Sequence, residues 1–338
     1  MRPAPLERAE GRREVLTLTP PVVALDRVTK RFAGHTAVDG LSLAVPPGII
    51  FGLLGPNGAG KTTSIRMIMD VIQPDTGSVR LFGERASGRD FAARIGYLPE
   101  ERGLYPKMRV LDVLAFLAEA KGMARAAARS AALAWLDRLG LADWRLRRVN
   151  ELSKGMQQKV QFISTMLHDP DLVILDEPFS GLDPVNAQVI KDTVVDLRRR
   201  GKTILFSTHI MEQAEKLCDE LCIIARGQKL VDGPLSDIKR THGGHHLVIG
   251  FDGSAGAAPE VFGDKQLVKK VDDYGQYAEL ELAPGADAQR ILQRLVASGA
   301  RLSRFELMEP SLNKIFIDLV GPEAVHAAAR PDVETARA

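Results

Sequence analysis

The sequence predicts an α/β fold with an inserted helical subdomain, followed by a small α+β domain. Three observations lead to this prediction. Strand and helix signals alternate over residues 22–77 and again over 172–231, as in a largely parallel sheet covered by helices. Residues 108–148 are instead rich in Ala, Leu and Arg at helical spacing. Beyond residue 244, an alternating strand and two striped helices indicate a second, smaller core.

Hydrophobic spacing places the first strands and helix. Leu41, Leu43 and Val45 alternate with small or polar residues, which predicts a half-buried strand. The apolar run 49–54 follows a Pro-Pro-Gly turn and predicts a fully buried strand. A helix is expected next, ending at a turn over 74–77, because apolar residues recur at its spacing: Ile65, Ile68, Met69 and Ile72.

These patterns divide the chain into one large and one small domain. We expect the larger domain over residues 21–240, with its helical subdomain at about 101–165, and the smaller α+β domain over 241–321. The segments 1–20 and 322–338 are expected to be disordered tails. The first is Arg-rich and lacks the hydrophobic core of a signal peptide, and the second is Ala-rich and uncapped.

Charge and composition exclude some classes of partner. The 45 Lys and Arg residues nearly balance 43 Asp and Glu, and the net charge is +2. A dedicated nucleic-acid-binding protein would usually show a concentrated basic stripe, so no nucleic-acid partner is expected. No apolar run reaches the ~18 residues needed to span a bilayer. Any membrane work would therefore pass through partner proteins.

Cysteine and histidine usage indicates neither a disulfide nor a metal site. Cys218 and Cys222 stand alone, which favours buried core residues in a reducing cytoplasm. The histidines His242, His245 and His246 lie close in sequence, but no carboxylate or Cys partner completes a ligand set.

Residues 55–62 fit the phosphate-binding pattern G-x-x-x-x-G-K-[ST], the P-loop of nucleoside triphosphatases. Its glycines let backbone N–H groups enclose phosphate oxygens, and the helix that follows adds the positive end of its dipole. Lys61 is expected to reach the β- and γ-phosphates, and the Thr62 hydroxyl to bind Mg²⁺. The predicted nucleotide-binding residues here are Gly55, Pro56, Asn57, Gly58, Ala59, Gly60, Lys61, Thr62 and Thr63.

An acidic pair follows the apolar strand expected over 172–175. The carboxyl ends of buried parallel strands are where ligands bind in such sheets. Asp176 is therefore predicted to hold Mg²⁺, through water, and Glu177 to polarise the water that attacks the γ-phosphate.

Two further segments offer polar groups that could surround a γ-phosphate, whose transfer depends on positioning and charge neutralisation. Residues 152–158 place Ser153 and Gly155 at the start of an apolar-striped helix, and residues 207–209 end a strand at His209. Taken singly, Ser153 is also explained as a helix cap and His209 as a strand-end histidine. The residues alone leave both alternatives open.

In order along the chain, these motifs resemble the nucleotide-binding domain of ABC transporters over about residues 22–238. The set consists of the P-loop, Leu-Ser-Lys-Gly-Met-Gln, Asp-Glu-Pro, Ser-Gly-Leu-Asp at 180–183, and Ser-Thr-His. The resemblance implies a subunit that binds and hydrolyses ATP with Mg²⁺ at the cytoplasmic face of the membrane. It further implies a homodimer or heterodimer of such subunits, which powers polytopic permease subunits.

The resemblance also implies roles for individual residues. In a head-to-tail dimer, Ser153 and Gly155 would complete the ATP site of the partner, and Asp183 would couple the two sites. His209 would act in catalysis by contacting the γ-phosphate. Phe32 would stack on adenine. The alternative is that Phe32 is an ordinary buried core residue.

The sequence departs from the commonest family pattern at two places. Residues 152–156 read LSKGM rather than LSGGQ, and Glu100 stands where the family usually has Gln. Glu100 is therefore a candidate Mg²⁺ ligand. Both variants, and the extension after residue 240, resemble the drug- and sodium-exporter branch, which favours export. The alternative is an ABC ATPase that acts on ribosomes or nucleic acid, although such chains usually carry two nucleotide-binding domains or long coiled coils.

Overall fold

The computed structural model describes residues 20–85, 90–101, 103–242, 246–253, 258–308 and 310–320. The tails expected at 1–20 and 322–338 lie outside this part of the chain, apart from Pro20, and so does His245.

Strands and helices alternate along most of the described chain. In order they are β1 (Val23–Phe32), β2 (His35–Val45), β3 (Ile50–Leu54), α1 (Lys61–Ile68), β4 (Thr76–Leu81), β5 (Ile95–Leu98), α2 (Val110–Ala120), α3 (Arg125–Arg138), α4 (Lys154–Met166), β6 (Leu172–Asp176), α5 (Pro184–Arg199), β7 (Thr203–Thr208), α6 (Met211–Leu217), β8 (Glu220–Ala225), β9 (Gln228–Pro234), α7 (Leu235–His242), β10 (His246–Phe251), α8 (Ala258–Phe262), β11 (Val268–Asp273), β12 (Tyr277–Leu282), α9 (Ala288–Ala297), β13 (Leu302–Met308) and α10 (Leu312–Val320).

A six-stranded sheet in the order β5-β6-β7-β3-β8-β9 forms the centre of the large domain. Neighbouring strands within this sheet are parallel, except that β8 and β9 are antiparallel. Successive residues of a strand point to opposite faces. Leu53 and Ile174 accordingly belong to the apolar core on one face, while Leu54 and Leu175 belong to the core on the other. The prediction of a largely parallel sheet is confirmed.

The two faces of this sheet are covered differently. One face packs against α1 and a separate antiparallel sheet in the order β2-β1-β4, whose Val28 and Leu41 share a core with Phe51 of β3. The other face packs against helices, including α4 and α5. The hydrophobic pattern predicted the strand at Leu41 but not this second sheet, because β4 is paired with β1 from more than forty residues away.

The expected helical insertion is present as α2, α3 and α4, with two short 3₁₀ turns at Ala142–Trp144 and Val149–Glu151. Its apolar residues, such as Leu114 and Leu136, join the core under the helical face of the sheet.

Helix α1 ends earlier than its hydrophobic stripe suggests. The helix stops at Ile68, because Asp70 adopts a left-handed backbone with φ of 57° and ends the helical hydrogen bonding. Ile72 lies beyond the helix and still packs against the same core. The predicted helix is therefore present, but its predicted end is wrong by about one turn.

The small domain is an antiparallel sheet, β11-β12-β10-β13, with α8 and α9 on one face. Leu247 and Leu280 of the sheet meet Ile291 of α9 in this core. Helix α10 does not join it, because Leu312 and Ile315 are buried in the core of the large domain. The segment expected to form one small domain thus places its last helix on the larger one.

The remaining composition-based expectations concern cysteines, metals and the membrane. Both cysteines are buried and free. Among the described residues, no group of three or more His, Cys, Asp or Glu side chains is arranged to hold a metal. None of the helices in this part of the chain combines the length and apolar character needed to cross a bilayer.

Candidate active site

The carboxyl ends of four parallel strands, β5, β6, β7 and β3, lie side by side at one edge of the central sheet. A cavity of about 420 Å³ opens there. Its walls contain nine of the residues predicted from sequence together with two others: Phe32, His35, Ala37, Asn57, Gly58, Gly60, Lys61, Thr62, Thr63, Glu100 and Glu177. This is the edge at which parallel α/β sheets bind ligands.

The P-loop runs tightly between neighbouring strands before it opens α1. Gly60, the residue before the helix, has φ of 104°, and a Cβ atom there would lie 2.5 Å from the carbonyl oxygen of Ala37. At Gly55 a Cβ atom would lie 2.2 Å from the carbonyl oxygen of Ile224. Only glycine fits these two positions, and the loop leads directly into the N-terminus of α1, the positive end of its dipole.

Lys61 is the principal cation of the cavity. Its side chain is buried, and its Nζ donates to the carbonyl oxygens of Gly55 at 2.9 Å and Pro56 at 3.2 Å. Burial lowers its pKa, while the nearby carboxylates of Glu177 and Asp176 oppose that shift. The ammonium group is thus held by loop carbonyls at the place where phosphate oxygens would bind.

Glu177 and His209 form a direct pair. His209 Nδ1 lies 2.9 Å from Glu177 Oε1, and the same oxygen lies 3.6 Å from Lys61 Nζ. The Glu177 backbone has φ of 48°, a left-handed conformation that costs a non-glycine residue roughly 1–3 kcal/mol. Its N–H donates to Ser207 Oγ at 3.2 Å, which helps to hold it there. Glu177 is therefore fixed in the cavity wall by contacts from the end of β7 and from the first residue of α1.

Asp176 lies beneath this pair and is fully buried. Its Oδ1 accepts a hydrogen bond from the Ser207 hydroxyl, while its Oδ2 is buried and has no hydrogen-bond partner in the described structure. A buried carboxylate oxygen without a partner is costly. A hard cation or its water would satisfy this oxygen, so the donor set of Asp176 and Thr62 fits Mg²⁺.

Phe32 is exposed at the cavity rim. Its side chain is 49% exposed, so the alternative of a core phenylalanine is wrong. His35 pairs with it across the β1–β2 turn and lines the same cavity. An exposed ring at this position is available to stack on a planar base.

Glu100 also lines the cavity, on the loop that follows β5. Gln161 of α4 holds this loop, because its Nε2 donates to the carbonyl oxygens of Pro99 at 3.3 Å and Glu101 at 3.0 Å. The helical subdomain therefore contacts the segment that carries Glu100.

Ser153, Gly155 and Asp183 form a second group away from the cavity. Each of Ser153 and Asp183 caps a helix: Ser153 Oγ accepts from the Met156 N–H at 3.3 Å, and Asp183 Oδ1 from the Asn186 N–H at 2.9 Å. The two helix starts adjoin, since a Cβ atom on Gly155 would lie 3.9 Å from Asp183 Oδ2. None of the three is among the described residues that line the cavity.

Sequence reasoning missed three residues that shape the site. Ser207 bridges the two acidic residues, Gln161 holds the loop of Glu100, and His35 lines the cavity. Ser207 belongs to the Ser-Thr-His motif at 207–209, and that motif is the signal that could have identified it. Nothing in the local sequence pairs Gln161 or His35 with the site.

Two family models match the chain. One, described as ABC transporter, matches residues 38–180, and one described as ATP-binding protein DrrA1-3-like, C-terminal domain, matches residues 233–320. The uncharacterized ABC transporter ATP-binding protein YhaQ of Bacillus subtilis is 45% identical over 300 residues, which cover 89% of this chain and 99% of that protein. The chain therefore belongs to the ATP-binding proteins of ABC transporters.

Further relatives agree with this assignment. Nod factor export ATP-binding protein I of Paraburkholderia xenovorans is 42% identical over 213 residues, which cover 62% of this chain and 70% of that protein. The solved structure of an ATP binding subunit of an ABC transporter superposes with a TM-score of 0.61 at 29% identity, over 65% of this chain and 92% of that one. Members of this family hydrolyse ATP to drive transport, commonly dimerise and work with membrane permease subunits. The chain is such a transport ATPase.

Proposed function

We propose that two copies of this subunit, or this subunit and a close relative, pack head to tail and enclose two ATP molecules. Each ATP would lie between the P-loop cavity of one chain and the signature group of the other, defined as Ser153, Gly155 and Asp183. The dimer would sit at the cytoplasmic face of the membrane on its permease partners. ATP closes the dimer because it binds the closed arrangement better than the open one.

The observation that carries this proposal is the separation of the two groups of residues. The signature group stands at the adjoining starts of α4 and α5, outside the cavity. Two helix N-termini side by side favour a bound anion. One chain alone therefore leaves its cavity without these donors, and a second chain in the head-to-tail arrangement would supply them.

Within each composite site, four side chains would share the work. Lys61 would leave the loop carbonyls for the β- and γ-phosphates and neutralise their charge. Glu177 would accept a proton from the attacking water or orient it. His209, hydrogen-bonded to Glu177, would contact the γ-phosphate and fix that carboxylate. Phe32 would stack on adenine at the rim.

Mg²⁺ would supply charge neutralisation between the β- and γ-phosphates when it is bound. Thr62 and Asp176 are the residues that would hold it, and the unpartnered Oδ2 of Asp176 supports this role. Glu100 is a third candidate, because it lines the cavity and is a hard oxygen ligand.

Export is the direction that the relatives favour. One relative is named for Nod factor export, and the C-terminal match is to a domain of DrrA-like ATP-binding proteins. The chain lacks the second nucleotide-binding core expected of ribosome- or nucleic-acid-acting relatives, as far as the described residues show. A direct test of direction is ATP-driven loss of candidate compounds from vesicles containing the co-purified permease.

Mixed dimers test the shared sites. One chain carries Lys61→Ala and the other Ser153→Arg, an exchange that the exposed position of Ser153 accommodates. If the sites are composite, one site of this mixture holds both lesions and the other is intact. ATP binding and turnover should then rise above those of either parent homodimer.

The crossed mixture is the matched control. A chain that carries both substitutions is mixed with the unaltered chain, which leaves a lesion in each composite site. Activity restored only in the first mixture supports the head-to-tail dimer. Activity restored only in the second would show that each chain contains a complete site, and the proposal would fail.

A further inference from the structure

Helix α10 lies against α6, the short helix that begins two residues after His209. Leu312 and Ile315 of α10 are 0% and 1% exposed and share an apolar core with Met211 and Ala214 of α6. The last helix of the C-terminal segment is therefore packed on the helix that follows the predicted γ-phosphate histidine.

A single carboxylate ties this contact together. Glu215, on α6, has its Oε1 2.6 Å from Lys239 Nζ of α7. Its Oε2 accepts a hydrogen bond from the backbone N–H of Leu312, the first residue of α10, at 3.2 Å. The Glu215 side chain is only 24% exposed. Hydrogen bonds and ion pairs to a carboxylate in such a position are stronger than those on an open surface.

The start of α10 and His209 also line a common cavity. Ser311 and Asn313 line a cavity of about 500 Å³ that His209 also lines. A shift of α10 relative to α6 would change the wall beside the histidine.

α6 depends on such anchoring. It contains seven residues, and a helix this short is unstable on its own, so tertiary contacts must hold it. Its first turn follows His209, and Glu215 lies in its second turn. Glu215 is therefore placed to determine how the helix, and with it the histidine, is held.

We propose that Glu215 is a positioning residue for ATP hydrolysis, which clamps α6 to α10 and thereby keeps His209 within hydrogen-bonding reach of Glu177. This inference rests on the proposed role of His209. It makes the C-terminal segment a partner of the ATP site, not an appendage. By linkage, nucleotide contact with His209 must then alter how firmly α10 is docked, and docking must alter catalysis.

The primary test compares two alanine substitutions in the full-length protein. Glu215→Ala removes the clamp, whereas Glu212→Ala, on the same helix and at the same cavity, removes only an exposed i,i+4 pair with Lys216. We expect Glu215→Ala to lower kcat about tenfold with little change in KM for ATP, the effect of losing one charge-assisted hydrogen bond. Amide exchange in α10 should quicken by a similar factor. Glu212→Ala should change neither quantity.

A double substitution separates positioning from general destabilisation. If Glu215 acts through His209, Glu215→Ala added to His209→Ala should cost little further activity, because the losses of coupled residues are not additive. Glu215→Gln retains an acceptor oxygen for the Leu312 N–H and should restore part of kcat. Losses that multiply in the double variant, or no recovery with Gln, would overturn the proposal.

The unaltered protein provides a test that needs no variant to fold. A non-hydrolysable ATP analogue should change the exchange rates of α10 amides, and unchanged rates at saturating analogue would overturn the coupling. Failure of the inference is also distinguishable from failure of the proposed function. Normal turnover of His209→Ala would refute the assigned role of His209, whereas loss of turnover there but not in Glu215→Ala would refute only the clamp.

Discussion

Replacing Glu177 by Gln should stop hydrolysis after ATP has bound. The amide has nearly the shape of the carboxylate, and its oxygen can still meet His209 Nδ1, now 2.9 Å from Glu177 Oε1. The substitution leaves the left-handed backbone and its hydrogen bond to Ser207 in place. The substitution removes the negative charge and the basicity of the side chain. Any large fall in turnover would therefore come from the chemical step and not from a change in structure.

The expected fall in turnover for Glu177→Gln follows from the role of Glu177 as a general base. A positioned general base contributes typically ~10²–10⁴ to a rate. We therefore expect turnover to fall at least ~100-fold, a rise of about 2.7 kcal/mol in the barrier. The affinity for ATP should stay similar, because Lys61 and the P-loop provide the phosphate contacts. The variant should also accumulate as an ATP-bound dimer, since hydrolysis no longer reopens it.

Three measurements check this prediction: phosphate release at saturating ATP, equilibrium binding of ATP, and sedimentation with and without ATP. Glu101→Gln is the matched control, because Glu101 is exposed on the neighbouring loop and does not line the cavity. Turnover of Glu177→Gln within a few-fold of the unaltered enzyme would remove Glu177 from the mechanism. A loss of ATP binding equal to the loss of turnover would instead assign it to binding.

Two further substitutions test other parts of the structure. Glu100→Gln should shift the Mg²⁺ dependence of turnover more than it changes ATP affinity, since a carboxylate near a triphosphate is repelled unless a cation bridges them; superimposable Mg²⁺ titrations would place Glu100 outside the metal site. Leu312→Ala should lower the free energy of unfolding by about 2–5 kcal/mol, because Leu312 is fully buried, while Ile317→Ala on the 39% exposed side of α10 should cost much less. Equal midpoints in denaturant for these two variants would show that α10 is not docked on the ATPase core.

Much of the fold could be predicted because its evidence is local. The P-loop pattern requires a strand before it and a helix after it, and apolar runs such as 172–175 can be buried on both faces only in the centre of a sheet. The β2-β1-β4 sheet and the end of α1 were harder. The first depends on pairing between residues distant in sequence, and the second on the left-handed backbone of Asp70, a conformation that Asp can adopt but does not require.

The active site likewise combines features that the local sequence predicts with features that depend on distant parts of the chain. Lys61, Asp176 and Glu177 belong to short motifs whose chemistry follows from residue type and spacing. The sequence does not predict that these residues contact one another. The 3.6 Å distance between Lys61 Nζ and Glu177 Oε1, and the hydrogen bonds through Ser207, depend on the order of strands in the sheet. Those distances are what indicate a common site.

By itself the sequence determined the family of this protein, the phosphate-binding loop, the acidic pair and the helical and C-terminal segments, because each is encoded by neighbouring residues. Only the tertiary structure decided that Asp176 keeps a buried oxygen unpartnered, that Phe32 is exposed, and that the signature group lies outside the cavity. It also decided that Leu312 packs on α6 and that Glu215 joins three helices. The physical reason is that burial and hydrogen bonding are properties of groups brought together from distant parts of the chain, and hydrophobic spacing shows that a face is buried without showing which surface covers it.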